Sequence, residues 1–282
     1  TAAPRCLLGP AQPPTPRSSP TTQRSSGRGG AWRPGPTHTV TGAGSTWLGG
    51  GNDTLHIGLS GEGDIDVTGG ANLTADTVLI GSLQGEIGSG RVDGAGSTWV
   101  TDNMTVGSSG QGGFNLSDQA AVTVTNDLNI GANGTGEGLV QFNDAGTTLG
   151  VGGQVFVGSS GSGQLVFSNG ATMTSANAAV GYLDGSTGAV WVGDAGTTWN
   201  ITGLLVVGAQ GTGSLSIGSG AAVSTTGDIF LGSGAASGEG NADVAVRGAG
   251  SQLSSGNDLI VGGTGSAGLV VEDNASLTTT GV

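Results

Sequence analysis

The stretch LVVGAQGTGSLSIGSGAAVST, from Leu205 to Thr225, contains three short apolar segments separated by glycine-rich corners. In the middle segment Leu215 and Ile217 alternate with serine, which is typical of a strand with one buried face. The first segment ends at Gly208, and the third, AAVST, recurs elsewhere in the chain. No helical periodicity interrupts this pattern. The stretch therefore predicts one coil of an all-β parallel β-helix with three short strands per coil.

An apolar triplet followed by glycine recurs along the chain and indicates the length of a coil. The intervals between these glycines lie between 23 and 27 residues, apart from a last interval of 30. Nine or ten such coils, stacked at about 4.8 Å each, would form a rod about 45 Å long. Parallel crossover connections are almost always right-handed, so we expect a right-handed helix. The glycines are Gly58, Gly81, Gly107, Gly131, Gly158, Gly181, Gly208, Gly232 and Gly262.

A longer repeat begins with the hexamer GAGSTW, which starts at Gly42 and again at Gly94. Degraded copies start at residues 144, 194 and 248, so the steps are 52, 50, 50 and 54 residues. Such self-similarity is typical of a solenoid whose units bury their apolar faces against one another. The sixth position exchanges Trp for Leu, which favours structural packing at a corner over sugar stacking or catalysis. This position is held by Trp47, Trp99, Leu149, Trp199 and Leu253.

Composition divides the chain into two parts near residue 37. Segment 1–36 holds all eight prolines, the one cysteine and five of the seven arginines, but no acidic residue. It cannot bury enough apolar surface to order itself, so we expect a disordered tail or a segment that is not native. Residues 37–282 form the predicted β-helix domain, with all 20 acidic residues against two arginines, a formal charge of −18. Nucleic-acid binding is not expected, because it requires clustered lysine and arginine.

The repeat resembles that of a family of bacterial surface proteins. The segments VGSSGSGQLVFSNGATMTSANAAVGYLDGSTGAVWVGDAGTTW (157–199) and VVGAQGTGSLSIGSGAAVSTTGDIFLGSG (206–234) are similar to the repeat of type V secretion autotransporter passengers and PEP-CTERM surface proteins. The similarity extends from about Thr39 to the end of the chain. It implies a β-helical stalk or adhesin that is secreted or displayed at the cell surface via the outer membrane, and no catalytic residues. Because the chain stops within a repeat, we expect a fragment of a longer passenger.

Two acidic features suggest chemistry but fit structural roles better. Asp64 and Asp66 share one face of a predicted strand, as in carboxylate pairs that cleave polysaccharides. No lysine accompanies them, so we expect solvated surface carboxylates and no enzyme. The stretches GGGNDTLHIG (49–58) and GNDLIVGGTG (256–265) are similar to calcium-binding nonapeptides, which act as tandem copies. Isolated copies indicate ordinary turns, and we expect no metal or other cofactor.

The middle residue of each triplet before glycine is predicted to point outward, because its two neighbours point inward. These middle residues change from polar to apolar after Asn129. We hypothesise that Phe156, Val206, Phe230 and Ile260 form an exposed stripe that contacts a partner, since contiguous apolar patches usually mark interaction surfaces. The alternative is a face covered by sequence outside this chain.

These patterns together predict a non-enzymatic extracellular stalk or adhesin segment that displays a binding surface. The expected partner is a host or cell-surface protein or glycan, and adjacent repeats are expected to stack end to end. Insertion into a membrane is not expected, because no run of 18 apolar residues occurs. The alternative function is the non-catalytic portion of a carbohydrate-active β-helix enzyme.

Overall fold

The computed structural model describes residues 37–49, 51–232 and 240–281, and this part of the chain consists of strands and turns. It contains no apolar helix of membrane-spanning length. The tail predicted for residues 1–36 lies outside the described residues. The strands are β1 (Thr37–Thr41), β2 (Thr46–Leu48), β3 (Thr54–Ile57), β4 (Glu62–Thr68), β5 (Asn72–Ile80), β6 (Ile87–Asp93), β7 (Thr98–Val106), β8 (Gln111–Ser117), β9 (Ala121–Val124), β10 (Leu128–Ile130), β11 (Glu137–Asn143), β12 (Thr148–Val151), β13 (Gln154–Val157), β14 (Ser162–Ser168), β15 (Thr172–Ser175), β16 (Asn177–Val180), β17 (Thr187–Val192), β18 (Thr198–Ile201), β19 (Leu205–Val207), β20 (Thr212–Gly218), β21 (Ala222–Thr225), β22 (Ile229–Leu231), β23 (Asn241–Arg247), β24 (Gln252–Ser255), β25 (Leu259–Val261), β26 (Ser266–Glu272) and β27 (Ser276–Thr279).

The strands stack as coils of a parallel β-solenoid, so the predicted parallel β-helix is confirmed. The first face is a ten-stranded ladder in the order β1-β4-β6-β8-β11-β14-β17-β20-β23-β26. The other strands form one seventeen-stranded sheet that contains two ladders. The second face runs from β2 to β27 and the third from β3 to β25, and each strand pairs in parallel with its equivalent one coil away.

The second and third faces merge at β5 and β7, where the prediction of three separate strands per coil does not hold. Each of these nine-residue strands continues through the corner between the two faces. In β5 the buried side chains are Leu73 and Ala75 and then Val78 and Ile80, so the alternation shifts by one residue. The shift turns the inward side of the strand through the corner without a glycine.

The core is a continuous column of apolar side chains inside the coils. Phenylalanines of the first face pack edge-on against two indoles: Trp99 lies 5.4 Å from Phe114, and Trp199 lies 6.1 Å from Phe167, between ring centroids. Trp199 Nε1 also donates a hydrogen bond to Ser175 Oγ (3.1 Å). The residues that the sequence assigns to packing share one inward row of the second face on alternate coils: Trp47, partly buried, and the fully buried Trp99, Leu149, Trp199 and Leu253.

The corner between the first and second faces explains why the longer repeat spans two coils. Ser97, the fourth residue of a GAGSTW hexamer, is fully buried; its Oγ accepts from the backbone N–H of Gly70, one coil earlier (3.0 Å), and donates to the carbonyl oxygen of Asp93 (2.7 Å). Thr147, Thr197 and Ser251 accept the equivalent N–H bond. Alanine occupies the same place in the intervening coils. The buried row reads Ala71, Ser97, Ala120, Thr147, Ala171, Thr197, Ala221 and Ser251.

The corner between the third face and the first face of the next coil is built from glycine because backbones meet there. Gly158, which follows β13, has φ +70°, and a Cβ atom on it would lie 2.5 Å from the carbonyl carbon of Thr187. Gly188 points inward from β17, and a Cβ there would lie 2.5 Å from the backbone nitrogen of Gly181. No side chain fits at either place.

Candidate binding surface

The apolar stripe predicted from the sequence lies on the outer side of the third face. Its members occupy one register row, in which Phe156 is followed by Ala179, Val206, Phe230 and Ile260 on successive coils. Phe156, Val206, Phe230 and Ile260 are all half-buried. The stripe is thus a surface feature whose side chains partly cover one another along the solenoid axis.

The exposure and composition of this row differ from those predicted. Ala179 is only 1% exposed, because its methyl group lies between the larger side chains of Phe156 and Val206. Tyr182 packs against Phe156 with ring centroids 5.1 Å apart and is 38% exposed. Leu79 holds the same row position in β5, so the row does not change from polar to apolar at one point. The apolar surface of this face therefore includes the Phe156–Tyr182 pair.

A polar cluster lies near the N-terminal end of the first face. Asp64 and Asp66 both point outward from β4 and are half-buried rather than fully solvated. Asp66 pairs in register with Arg91, whose Nη2 lies 3.0 Å from Asp93 Oδ1. Burial raises the pKa of Asp66, although the charge of Arg91 opposes that shift. The hydroxyl of Ser117 donates to Asp93 Oδ1 (2.6 Å) and lowers the pKa of Asp93. The side chains of Asp66, Arg91, Asp93 and Ser117 therefore interact with one another on the outer surface.

The corner that contains the calcium-like stretches uses Asp and Asn side chains to bind backbone amides of neighbouring coils. Asp76 Oδ2 accepts hydrogen bonds from the N–H groups of Asn52 and Asp53, the second at 3.0 Å. These bonds satisfy N–H groups that the corner leaves outside the strand ladders. In residues 37–49, 51–232 and 240–281, no three His, Cys, Asp or Glu side chains converge as metal ligands. Three similar bonds run the other way along the axis: the backbone N–H groups of Gln154, Leu204 and Asp258 donate to side chains of the preceding coil, Asp127 (2.8 Å), Asn177 (2.9 Å) and Asp228 (3.1 Å) respectively.

The sequence analysis did not identify two features of the surface. Tyr182 lies outside the apolar triplets, and only the fold brings it against Phe156. Trp191 lies on the outer side of the first face and is 41% exposed, whereas Trp99 and Trp199 are fully buried. The sequence does carry a signal for this position. Trp191 follows an inward valine in GAVWVG, and the period-two alternation of a strand then predicts that the tryptophan side chain points outward.

No family model, no curated protein and no solved structure matches this chain. The two outward surfaces described above are the apolar stripe of the third face and the outer side of the first face.

Proposed function

We propose that this chain is a non-enzymatic segment of an extracellular β-helical stalk or adhesin, similar to bacterial autotransporter passengers, that displays binding surfaces on a rigid rod. The observation that supports this best is the unbroken parallel ladder of the first face from β1 to β26. Each coil repeats the same three faces about 4.8 Å further along the axis. Side chains at equivalent positions therefore form long outward rows, which suit extended or repeated contacts with a partner.

The apolar stripe is the surface that we propose contacts a host or cell-surface protein. Aromatic side chains such as Phe156, Tyr182 and Phe230 provide large contact area at a small cost in side-chain entropy, and they are enriched at the centres of protein interfaces. The net negative charge of the domain favours solubility and repels anionic membrane surfaces. The stripe then provides adhesion while the rest of the rod provides distance from the cell.

The placement outside the cell can be tested on intact cells that produce the full-length protein. We expect externally added protease to remove the chain, detected with an antibody against residues 37–282, while a cytoplasmic marker survives. A chain that resists protease until the cells are lysed would show that the proposed location is wrong.

The adhesive role can be tested with beads coated with purified protein. We expect the double variant Phe156→Ser, Phe230→Ser to lower bead adhesion to host cells several-fold. The control Val100→Ser changes an exposed valine of the second face and is expected to have no effect. Equal adhesion of all three proteins would remove the stripe from the proposal. Release of reducing ends from polysaccharides by the full-length protein would instead favour the carbohydrate-active alternative.

A further inference from the structure

Trp191 presents a flat aromatic surface on the outer side of the first face. The indole lies over the backbone of Gly193, two residues further along, where a Cβ atom would be only 3.0 Å from Cε2 and nearer still to other ring carbons. One side of the ring therefore rests on the protein, and the side chain remains 41% exposed. An aromatic ring held in this way is a platform on which a ligand can stack.

A groove leads to this platform along the solenoid axis. Trp191 pairs in register with Val166, Val166 with Gln141, and Gln141 with Asn115, so these outward side chains form one row over four coils. The groove has a volume of about 320 Å³ and lies between this row and a second row of Ser117, Asn143 and Ser168. The backbone N–H of Gly193 bonds to Phe167, next to Ser168. The indole over Gly193 therefore lies on the coil that follows the last strand lining the groove.

A second groove of about 330 Å³ runs beside the first on the same face, lined by Gln111, Leu139 and Gln164 among others. Gln111, Gln141 and Gln164 are exposed, and each side-chain amide can both donate and accept hydrogen bonds. Amides from three neighbouring coils therefore face solvent beside the aromatic platform.

The strands of this region are almost free of charge in a domain that is strongly acidic. In β8, β11, β14, β17 and β20 the one ionisable residue is Glu137, at the edge of the face, and Asp118, Asp144 and Asp194 lie beyond the strand ends, at the corner to the second face. Charged residues occupy the same face toward both ends, where Asp66 and Arg91 lie on one side and the Arg247–Glu272 pair (2.6 Å) lies on the other. A ligand that matches the central region is polar and uncharged.

We propose that the central part of the first face, around Trp191, Gln141 and Asn115, binds an uncharged polysaccharide lying along the solenoid axis. Sugar hydroxyl groups both donate and accept hydrogen bonds, as the amides require. The apolar C–H face of a sugar ring matches the electron-rich face of the indole. The inference rests on the proposed role as a binding rod, but it uses a different face from the apolar stripe and names a different class of ligand.

The test is isothermal titration of the whole chain with neutral hexasaccharides of glucose, xylose and mannose, and with an oligogalacturonate as the anionic comparison. We expect at least one neutral oligosaccharide to bind with a Kd of about 1 mM or tighter, unchanged by high salt. Trp191→Ala should weaken this binding at least about tenfold, because it removes the platform. Gly193→Ala should also weaken it, because the added methyl group lifts the indole.

Tyr182→Ala, which changes an exposed aromatic outside the first face, is the matched control and should bind as the unchanged chain does. Far-UV circular dichroism checks that each variant retains its β-structure. The inference is overturned if no neutral oligosaccharide binds, if only oligogalacturonate binds, if Trp191→Ala binds normally, or if Trp191 instead mediates self-association of the chain. Loss of sugar binding with bead adhesion intact would overturn this inference alone, and the reverse result would overturn only the role of the stripe.

Discussion

Alanine at Gly158 is expected to destabilise the solenoid far more than alanine at two other glycines of the same kind of corner. Gly158 has φ +70°, and its Cβ would lie 2.5 Å from the carbonyl carbon of Thr187 and 2.8 Å from the nitrogen of Gly188. The left-handed conformation costs an alanine about 1–2 kcal/mol, and forced repacking adds about 1–3 kcal/mol. We therefore expect a loss of about 2–5 kcal/mol in the free energy of unfolding.

Two glycines provide the controls for this substitution. Gly185 has φ +76° with no atom within 4 Å of the position that an added methyl group would take, so Gly185→Ala should lose only the conformational cost of about 1–2 kcal/mol. Gly134 is equally open and does not have a positive φ. Gly134→Ala should therefore be neutral or stabilise by up to about 1 kcal/mol, because alanine restricts the unfolded chain.

Urea unfolding followed by circular dichroism gives the order of stability, and hydrogen exchange locates the change. Because each coil contacts mainly its neighbours, the lost protection in Gly158→Ala should concentrate in β13 and β17. If Gly158→Ala and Gly185→Ala are equally stable, the backbone overlap is relieved at no cost and the corner is not tightly packed. If all three variants are as stable as the unchanged chain in urea, a positive φ at Gly158 and Gly185 does not disfavour alanine, and that part of the reasoning is wrong as well.

Three further substitutions test individual hydrogen bonds. Ser175→Ala should cost about 1–3 kcal/mol in urea unfolding, because it leaves the buried Nε1 of Trp199 without its acceptor; an unchanged midpoint would contradict this. Ser251→Ala should cost about 1–2 kcal/mol and lower hydrogen-exchange protection at its own corner; unaltered protection there would contradict the corner bond. Ser117→Ala should raise the pKa of Asp93 toward its ordinary value, as measured by NMR titration. Since that pKa is lowered in the folded state, the bond stabilises the fold at neutral pH and its contribution disappears as the pH falls through the folded-state pKa. The Ser117→Ala and unchanged chains should therefore converge in stability in acid, and a stability gap that persists there would refute this cause.

The coil architecture could be predicted because its signals are local. Alternation in a segment such as Ser214–Ile217 and the glycine after each triplet describe strands and corners without knowledge of distant residues. The exchange of Trp199 for Leu149 between repeats likewise indicated packing, and the structure places both in the same inward row.

The surfaces could not be predicted in the same way, because they depend on register between coils. The half-burial of Phe156 requires knowing that Tyr182, from the following coil, folds back against it. The platform at Trp191 depends on the missing side chain of Gly193 beneath the ring. The corner bonds of Asp76 join residues more than 20 positions apart. None of these contacts leaves a periodic signal in one strand.

The alternation of hydroxyl and alanine corners limits how such a gene can change in length. Loss of a single coil would bring two hydroxyl corners, such as those of Ser97 and Thr147, into direct succession. The second hydroxyl would then follow another hydroxyl-containing turn. It would no longer lie beside the alanine-containing turn whose backbone N–H group donates a hydrogen bond to it. Unequal recombination should therefore preserve the fold only when it adds or removes about 50 residues at once. Each event would change the reach of the molecule by two strand spacings, about 10 Å.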